Sequence, residues 1–169
     1  TRVPMLRNCF SLLVSLPLLA LAEPVELKLG VLPGLRFDQT RFQVAPEADV
    51  RITFKNNDQM MHNLVIAKPG SLKKVVSDAL LLADKGPELD FVPQTSDVLW
   101  HTGVLEPSQE EALEFTAPAA NGIYPFVCTY PGHGFVMFGA LYVGDQELPP
   151  LAKDPHVPPP LPAGSLPSP

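Results

Sequence analysis

One short stretch of the sequence places three potential metal ligands at regular spacing. Cys128, His133 and Met137 follow one another in the pattern C-x4-H-x3-M. The apolar residues on either side indicate the end of one strand and the start of the next, and Pro131-Gly132 forces a tight turn between them. A thiolate and a thioether at facing strand ends can therefore point at one spot, with the imidazole on the connecting loop. Sulfur donors combined with imidazole suit copper.

This loop supplies three donors, and His62 is the candidate for a fourth. His62 lies 66 residues before Cys128 and opens an apolar strand at residues 64–67. Two histidines and a cysteine in a trigonal arrangement, with a weak axial methionine, form a copper site suited to electron transfer. The sequence therefore predicts a copper site in which His62 completes the donor set of the loop.

Two segments of the chain, Met61-His62-Asn63 and CTYPGHGFVM at residues 128–137, together resemble the type 1 copper proteins. These proteins are the cupredoxins, and the similarity is to their azurin and auracyanin branch over roughly residues 23–143. The resemblance implies an all-β fold, a Greek-key β-sandwich or barrel (the cupredoxin fold), with one inserted α-helix. It also implies one type 1 copper ion as the cofactor. The implied ligands are His62, Cys128, His133 and Met137.

Residues next to the ligands match positions that matter in the same branch. In the family, the residue before the first histidine offers its backbone carbonyl as a distant, weak metal contact, and here Met61 stands where glycine is usual. Asn63 matches the residue that ties the first ligand strand to the cysteine loop by hydrogen bonds. Tyr130 can offer its backbone N–H to the Cys128 sulfur, whereas Pro131 has no N–H to offer.

The rest of the sequence predicts a sandwich that holds this site. Four segments alternate apolar with polar residues, as half-buried strands do. They are residues 25–29, 41–44, 50–55 and 112–116. From residue 72 to residue 83 the apolar side chains recur with helical spacing. Ser71 is the predicted N-cap of this helix, and Gly86-Pro87 ends it.

The two ends of the chain differ in composition from its middle. Two arginines precede an apolar run that ends in Ala20-Leu21-Ala22, which predicts a cleaved signal peptide over residues 1–22. The copper domain is predicted over residues 23–147. Residues 148–169 are rich in proline and are predicted to form a disordered tail or linker. Cleavage implies a periplasmic or secreted protein with no membrane insertion, and an uncleaved leader is the alternative, which would tether it to a membrane.

Charge and cysteine content narrow the possible functions. The chain has 169 residues and a formal net charge of −6, and no basic patch stands out, so nucleic acid and anionic membrane surfaces are not expected partners. Cys9 lies in the predicted signal peptide, so Cys128 is the only thiol expected in the mature protein. Such a thiol cannot form an internal disulfide and is free, intermolecular or metal-bound.

We predict an exported protein that carries single electrons between redox partners, is monomeric and is not an enzyme. Its expected partners are redox proteins such as c-type cytochromes or a copper enzyme. An uncharged surface around His133 would let a partner's cofactor approach the imidazole edge through a small, weak interface. This predicted surface consists of Gly134, Phe135, Val136 and Phe138.

Other functions remain open at this point. A periplasmic protein that binds and delivers copper is one, although such sites more often bind Cu(I) through many Met or Cys residues. A copper domain of a larger redox enzyme is another, but such domains need further histidines, commonly one beside the cysteine, where this chain has Val127 and Thr129. A metal-free binding module is the third, and it would need a degraded donor set.

Overall fold

The computed structural model describes residues 23–160 of the chain. The predicted signal peptide lies outside the described residues, and so does the end of the proline-rich segment, residues 161–169. Within the described part are ten strands and one α-helix, α1 (Leu72–Leu80). In chain order the strands are β1 (Val25–Leu29), β2 (Val31–Leu32), β3 (Arg36–Phe37), β4 (Arg41–Val44), β5 (Asp49–Lys55), β6 (Val65–Ala67), β7 (Val98–His101), β8 (Glu110–Thr116), β9 (Gly122–Val127) and β10 (Phe138–Val143).

Eight of these strands form two sheets that face each other across a shared core. One sheet has the order β1-β5-β8 and the other has the order β4-β10-β9-β6-β7, while β2 and β3 pair separately. Strand β1 runs parallel to β5, and β4 runs parallel to β10; the remaining pairs are antiparallel. Strands distant in sequence therefore lie side by side, as the predicted Greek-key sandwich requires.

The core forms because alternate residues of each strand face inward. In β5, Val50, Ile52 and Phe54 are all buried, while the residues between them face outward, as the alternation predicted. Phe37 contacts Phe54 and Phe126 edge to face, with ring centroids 5.9 and 5.4 Å apart. Each fully buried aliphatic or aromatic side chain contributes about 1.5–3 kcal/mol to folding. The frame is therefore held mainly by apolar packing.

Helix α1 covers the outer face of the five-stranded sheet. Val75 and Val76 are buried against Val65 of β6 and Val127 of β9. The apolar face predicted for this helix is present. The helix ends at Leu80 rather than at residue 83, because Ala83 has φ +47° and cannot continue a right-handed helix. Residue Ser71 occupies the N-cap position without capping, since its hydroxyl donates to the carbonyl of Lys68.

The proline-rich segment packs on the sandwich as far as Pro158, which corrects the prediction of a disordered tail for residues 148–158. A short helical turn forms at Leu151–Lys153, and Val157 is buried against Ala140 and Tyr142 of β10. Proline prevents regular strand or helix pairing, but it does not prevent side chains from docking on a neighbouring sheet. The sandwich thus includes a strap, residues 148–158, that lies over β10.

A buried carboxylate fastens this strap. The Asp154 side chain is fully buried and accepts hydrogen bonds of 2.9 Å from the Tyr142 hydroxyl and of 3.1 Å from the Arg41 guanidinium. Burial by itself raises a carboxyl pKa, but the N–H of His156, the Tyr142 hydroxyl and Arg41 outweigh it and lower the pKa of Asp154.

Among the described residues, none of the helices is long and apolar enough to cross a membrane.

Candidate metal centre

Three side chains from distant parts of the chain meet at one end of the sandwich. The Cys128 Sγ lies 3.7 Å from Nδ1 of His62 and 3.6 Å from Nδ1 of His133, and the two Nδ1 atoms are 3.2 Å apart. Cys128 and His62 are fully buried, and His133 is 6% exposed. Among the described residues, these three form the one cluster of His, Cys, Asp or Glu side chains with metal-binding geometry.

The loop between β9 and β10 places two of these donors by local hydrogen bonds. Gly132 has φ +83°, which lets the chain turn sharply after Pro131. The turn is closed by a hydrogen bond from the N–H of His133 to the carbonyl of Tyr130, at 3.0 Å. Cys128 leaves the end of β9 directly beside the loop, so its sulfur and the His133 imidazole face each other.

Met137 returns the chain to the sandwich at the start of β10. Its N–H donates to the carbonyl of His133 at 2.9 Å, and its carbonyl accepts from the N–H of Cys128 at 3.0 Å. The Met137 side chain is fully buried in the same core cluster as Cys128. The backbone thus holds the three donor-bearing positions of the loop together, and the thioether as a ligand stays a prediction.

His62 is fixed by pairing with a neighbouring strand segment. It forms an isolated antiparallel bridge with Leu105, with backbone hydrogen bonds of 3.2 and 2.7 Å in the two directions. Its Nδ1 faces the sulfur of Cys128, and its Nε2 lies 3.1 Å from Oδ2 of Asp58. The side chain is therefore held on both sides of the ring.

Asn63 links the two segments that carry the donors. Its Oδ1 accepts from the N–H of Thr129 at 2.7 Å, and its Nδ2 donates to the Thr129 hydroxyl and to the carbonyl of Asp90, both at 2.8 Å. Asn63 is fully buried, so these bonds lie away from water. The link fixes Cys128 relative to His62, as the resemblance implied for this asparagine.

Two of the three donors already have the protonation state that binds a metal ion. Burial raises the pKa of the Cys128 thiol to about 12, although the N–H groups of Asn63 and Tyr130 act in the opposite direction. Burial and the neighbouring His62 lower the pKa of His133 to about 4. Burial also lowers the pKa of His62, against an opposing effect of Asp58. Both imidazoles are therefore neutral at pH 7, and only the thiol must lose a proton to bind a metal.

The exposed apolar surface at this end differs from the predicted one. Phe135 and Val136 are 63% and 47% exposed, as expected of a contact surface. Gly134, however, is buried against Val76, whose Cγ2 is so near that it would lie 2.6 Å from a Cβ at this position, and Phe138 is half-buried against the residues under helix α1. The prediction is therefore corrected for Gly134, and for Phe138 it stays a prediction.

Four residues beside the donors have side-chain positions that the sequence did not predict. Met60 and Met61, which precede His62, are 43% and 40% exposed and add two thioethers to the surface at this end. Asp58 was not predicted, because a carboxylate in a polar turn is ordinary; its position four residues before His62 is the signal that the sequence carries. Thr129 carried no signal, since its contact with Asn63 spans 66 residues.

The donor set and its geometry can be compared with known proteins. The profile of the copper-binding proteins of the plastocyanin/azurin family matches residues 25–144. This chain belongs to that family. A thiolate and two imidazoles within 4.8 Å of one another fit the copper that the family binds.

Individual relatives of this cupredoxin agree with the assignment. Auracyanin-A of Chloroflexus aurantiacus is 34% identical over 124 residues, which cover 71% of this chain and 75% of that protein. Outer membrane protein H.8 of Neisseria gonorrhoeae is 39% identical over 120 residues, which cover 66% of this chain. The matched region spans 63% of the H.8 protein, so that relative has a substantial part without a counterpart in the alignment.

Solved structures show the same fold. Auracyanin A, described as a "blue" copper protein of the same bacterium, superposes with a TM-score of 0.65 at 31% identity over 72% of this chain and all of that chain. An azurin of Methylomonas sp. strain J superposes with a TM-score of 0.63 at 22% identity, over 72% of this chain and 98% of that one. The predicted cupredoxin fold and copper cofactor are thereby confirmed.

Proposed function

We propose that this cupredoxin is an exported carrier of single electrons with a type 1 copper site. Its ligands would be His62, Cys128 and His133 in a trigonal set, with Met137 as a weak axial ligand. The observation that carries the proposal is the convergence of one sulfur and two Nδ1 atoms within 4.8 Å in a buried position. Bound there, copper would cycle between Cu(I) and Cu(II) and so accept and release one electron at a time.

The protein part of this function is to hold the donors still. Backbone hydrogen bonds join Met137 to both other donors of the loop, the Leu105 bridge fixes His62, and Asn63 joins the two segments. A donor set held by its surroundings rearranges little when the charge of the metal changes. Little rearrangement favours fast electron transfer in both directions. The same rigidity argues for a carrier, because substrate turnover would need an open coordination position.

A partner would approach where the site is nearest the solvent. We define the docking surface as the exposed side chains that neighbour the two imidazoles in sequence. It consists of Met60, Met61, Phe135 and Val136. Apolar, uncharged contacts give the small, short-lived interfaces that suit electron exchange with another redox protein, such as a c-type cytochrome or a copper enzyme. Flexible methionines allow such a surface to adapt to more than one partner.

We also propose that the protein is exported and monomeric. The leader-like composition of residues 1–22 supports export, and so does the relative that is named as an outer membrane protein. We propose that cleavage after Ala22 leaves a periplasmic or secreted protein. The intact mass of the exported protein tests this, and a mass that includes Cys9 would indicate a membrane anchor.

The visible spectrum of the purified protein with Cu(II) tests the site. A type 1 site should show an intense thiolate-to-copper absorption band and bind one copper per chain. Reversible loss of the band on reduction, and its return on oxidation, would support electron carriage. Tight binding of Cu(I) without a visible Cu(II) band would instead support copper delivery.

The docking surface can be tested by placing a charge on it. We expect Val136→Asp to slow electron self-exchange by about tenfold at low ionic strength, because two negative charges face each other in the encounter complex. The visible spectrum should stay nearly unchanged, since no ligand moves. Stopped-flow or NMR line-broadening measurements give the rate.

Val25→Asp is the matched control for this charge. Val25 is also exposed, at 38%, and pairs with Val50 at the start of β5, whereas the site lies beyond the end of that strand. It should have little effect on self-exchange. Equal slowing by both variants would contradict a localised docking surface.

If Met137 is the axial ligand, two substitutions at this position should shift the reduction potential in opposite directions. Met137→Leu should keep the blue colour and raise the reduction potential, because loss of an electron donor destabilises Cu(II) more than Cu(I). Met137→Gln should lower the potential, because a harder oxygen donor favours Cu(II). Voltammetry measures both shifts. Unmoved potentials in both variants would make Met137 a core residue only, and Met60 or Met61 would then need testing as the axial ligand.

A further inference from the structure

The two histidines of the site differ in what lies behind them. Nε2 of His62 lies 3.1 Å from a carboxylate oxygen of Asp58, and the His62 side chain is fully buried. His133 is near the surface, and in the described part of the chain its hydrogen-bonding contacts are through Nδ1. One imidazole is therefore backed by a negative charge, and the other is open toward the docking surface.

Asp58 is itself held firmly in place. Its Oδ1 accepts from the N–H of Gln59 at 2.7 Å, and its own N–H donates to Oδ1 of Asn56 at 3.0 Å. Asn56 is fully buried, and its Nδ2 donates to the carbonyls of Met60 and Leu105 at 2.7 and 3.0 Å. The turn that carries Asp58 is thus tied to the same Leu105 position that pairs with His62.

This arrangement determines which ring nitrogen of His62 carries the proton and which one can bind a metal. Because Nδ1 faces Cys128 and His133, a ligand lone pair is needed there, and the ring proton must sit on Nε2. The Asp58 carboxylate accepts that proton's hydrogen bond. A carboxylate behind a ligand histidine also makes the imidazole a stronger donor.

We infer that Asp58 is a positioning residue that sets the His62 tautomer and that its charge lowers the reduction potential of the copper. The inference rests on the proposed type 1 site. The negative charge favours Cu(II) over Cu(I), because the more highly charged ion gains more from it. Asp58 is not one of the three converging donors, and it acts through the imidazole of His62.

Two substitutions separate the charge from the hydrogen bond. In Asp58→Asn the amide oxygen can still accept from Nε2, so the blue band should remain while the potential rises. A tenfold larger loss of Cu(II) than of Cu(I) affinity corresponds to a rise of about 59 mV. In Asp58→Ala the acceptor is lost as well, and Cu(II) affinity should fall by about 10- to 100-fold. Competition with a chelator gives the affinities.

Asp49→Asn is the matched control, because it removes the same charge at the other end of β5. Asp49 is exposed and bonds the Thr116 hydroxyl, and β5 separates it from the turn by about 20 Å. Its potential and Cu(II) affinity should equal those of the wild type. An Asp58→Asn potential equal to that of Asp49→Asn would overturn the charge effect.

Nitrogen NMR of the metal-free protein tests the positioning role without copper. The wild type should show His62 as the Nε2–H tautomer, and Asp58→Ala should show a mixture of tautomers. An unchanged tautomer in Asp58→Ala would overturn the positioning role. If the wild type shows no intense Cu(II) band, the proposed function fails, while the tautomer measurement still decides whether Asp58 positions His62.

Discussion

Replacing Cys128 with serine is expected to abolish the intense visible band and to remove most of the Cu(II) affinity. The thiolate is the soft, charged ligand of the donor set, and a serine hydroxyl stays protonated and binds copper poorly. The fold should survive, because the buried apolar side chains of both sheets form the core without the metal. Absorption and circular dichroism spectra measure the two effects separately.

Proton release gives a second readout of the same substitution. Burial raises the pKa of the Cys128 thiol to about 12, so the metal-free protein carries this proton at pH 7, whereas both imidazoles are neutral. Binding of Cu(II) should therefore release about one proton per chain in the wild type and none at residue 128 in the serine variant. A serine variant that fails to fold at low temperature would show that Cys128 is needed for the structure itself.

Replacing Asp154 with alanine is expected to destabilise the protein by about 3 kcal/mol, near the lower end for a broken buried ion pair. The lower end applies because Arg41 is partly exposed and can turn toward water, whereas the Tyr142 hydroxyl stays buried without its acceptor. For a domain of this size, 3 kcal/mol lowers Tm by about 6–12 °C. Thermal unfolding of the metal-free protein measures it.

The pH dependence of stability provides a check on this carboxylate. The folded pKa of Asp154 is lower than its unfolded value, so its contribution is present above the unfolded pKa and is lost as the pH falls through the folded pKa. The difference in stability between wild type and Asp154→Ala should therefore shrink below about pH 4. Asp145→Ala, at an exposed acid just before the strap, should leave Tm within about 2 °C. An equal Tm in the Asp154 and Asp145 variants would contradict the strap's role in stability.

The loop that carries three of the donors could be predicted because its geometry is local. Cys128, His133 and Met137 are separated by a turn that Pro131 and Gly132 specify, and backbone hydrogen bonds within ten residues hold it. The strands β1, β4, β5 and β8 could be predicted for a similar reason, since an alternating pattern determines which face of a strand enters the core. His62 was a candidate because it opens an apolar strand, and the family resemblance supplied the role of Asn63; both lie 66 residues away from their contacts in the cysteine loop.

Other features depended on which distant segments come together. Gly134 is buried because helix α1 brings Val76 against it, and no local pattern records that approach. The strap docks because Asp154 meets Arg41, which lies 113 residues earlier in the chain. A proline-rich composition disfavours regular backbone pairing. Packing through side chains depends instead on partners in space, so composition did not predict it.

The sequence by itself determined the kind of metal site and the kind of frame, because donor types, a short turn and strand alternation are properties of neighbouring residues. Tertiary structure alone decided what surrounds the site. Asp58 stands behind His62 because buried Asn56 and the Leu105 bridge hold its turn against the strand. Burial strengthens each of these hydrogen bonds, since a polar group that is shielded from water must find its hydrogen-bond partner within the fold.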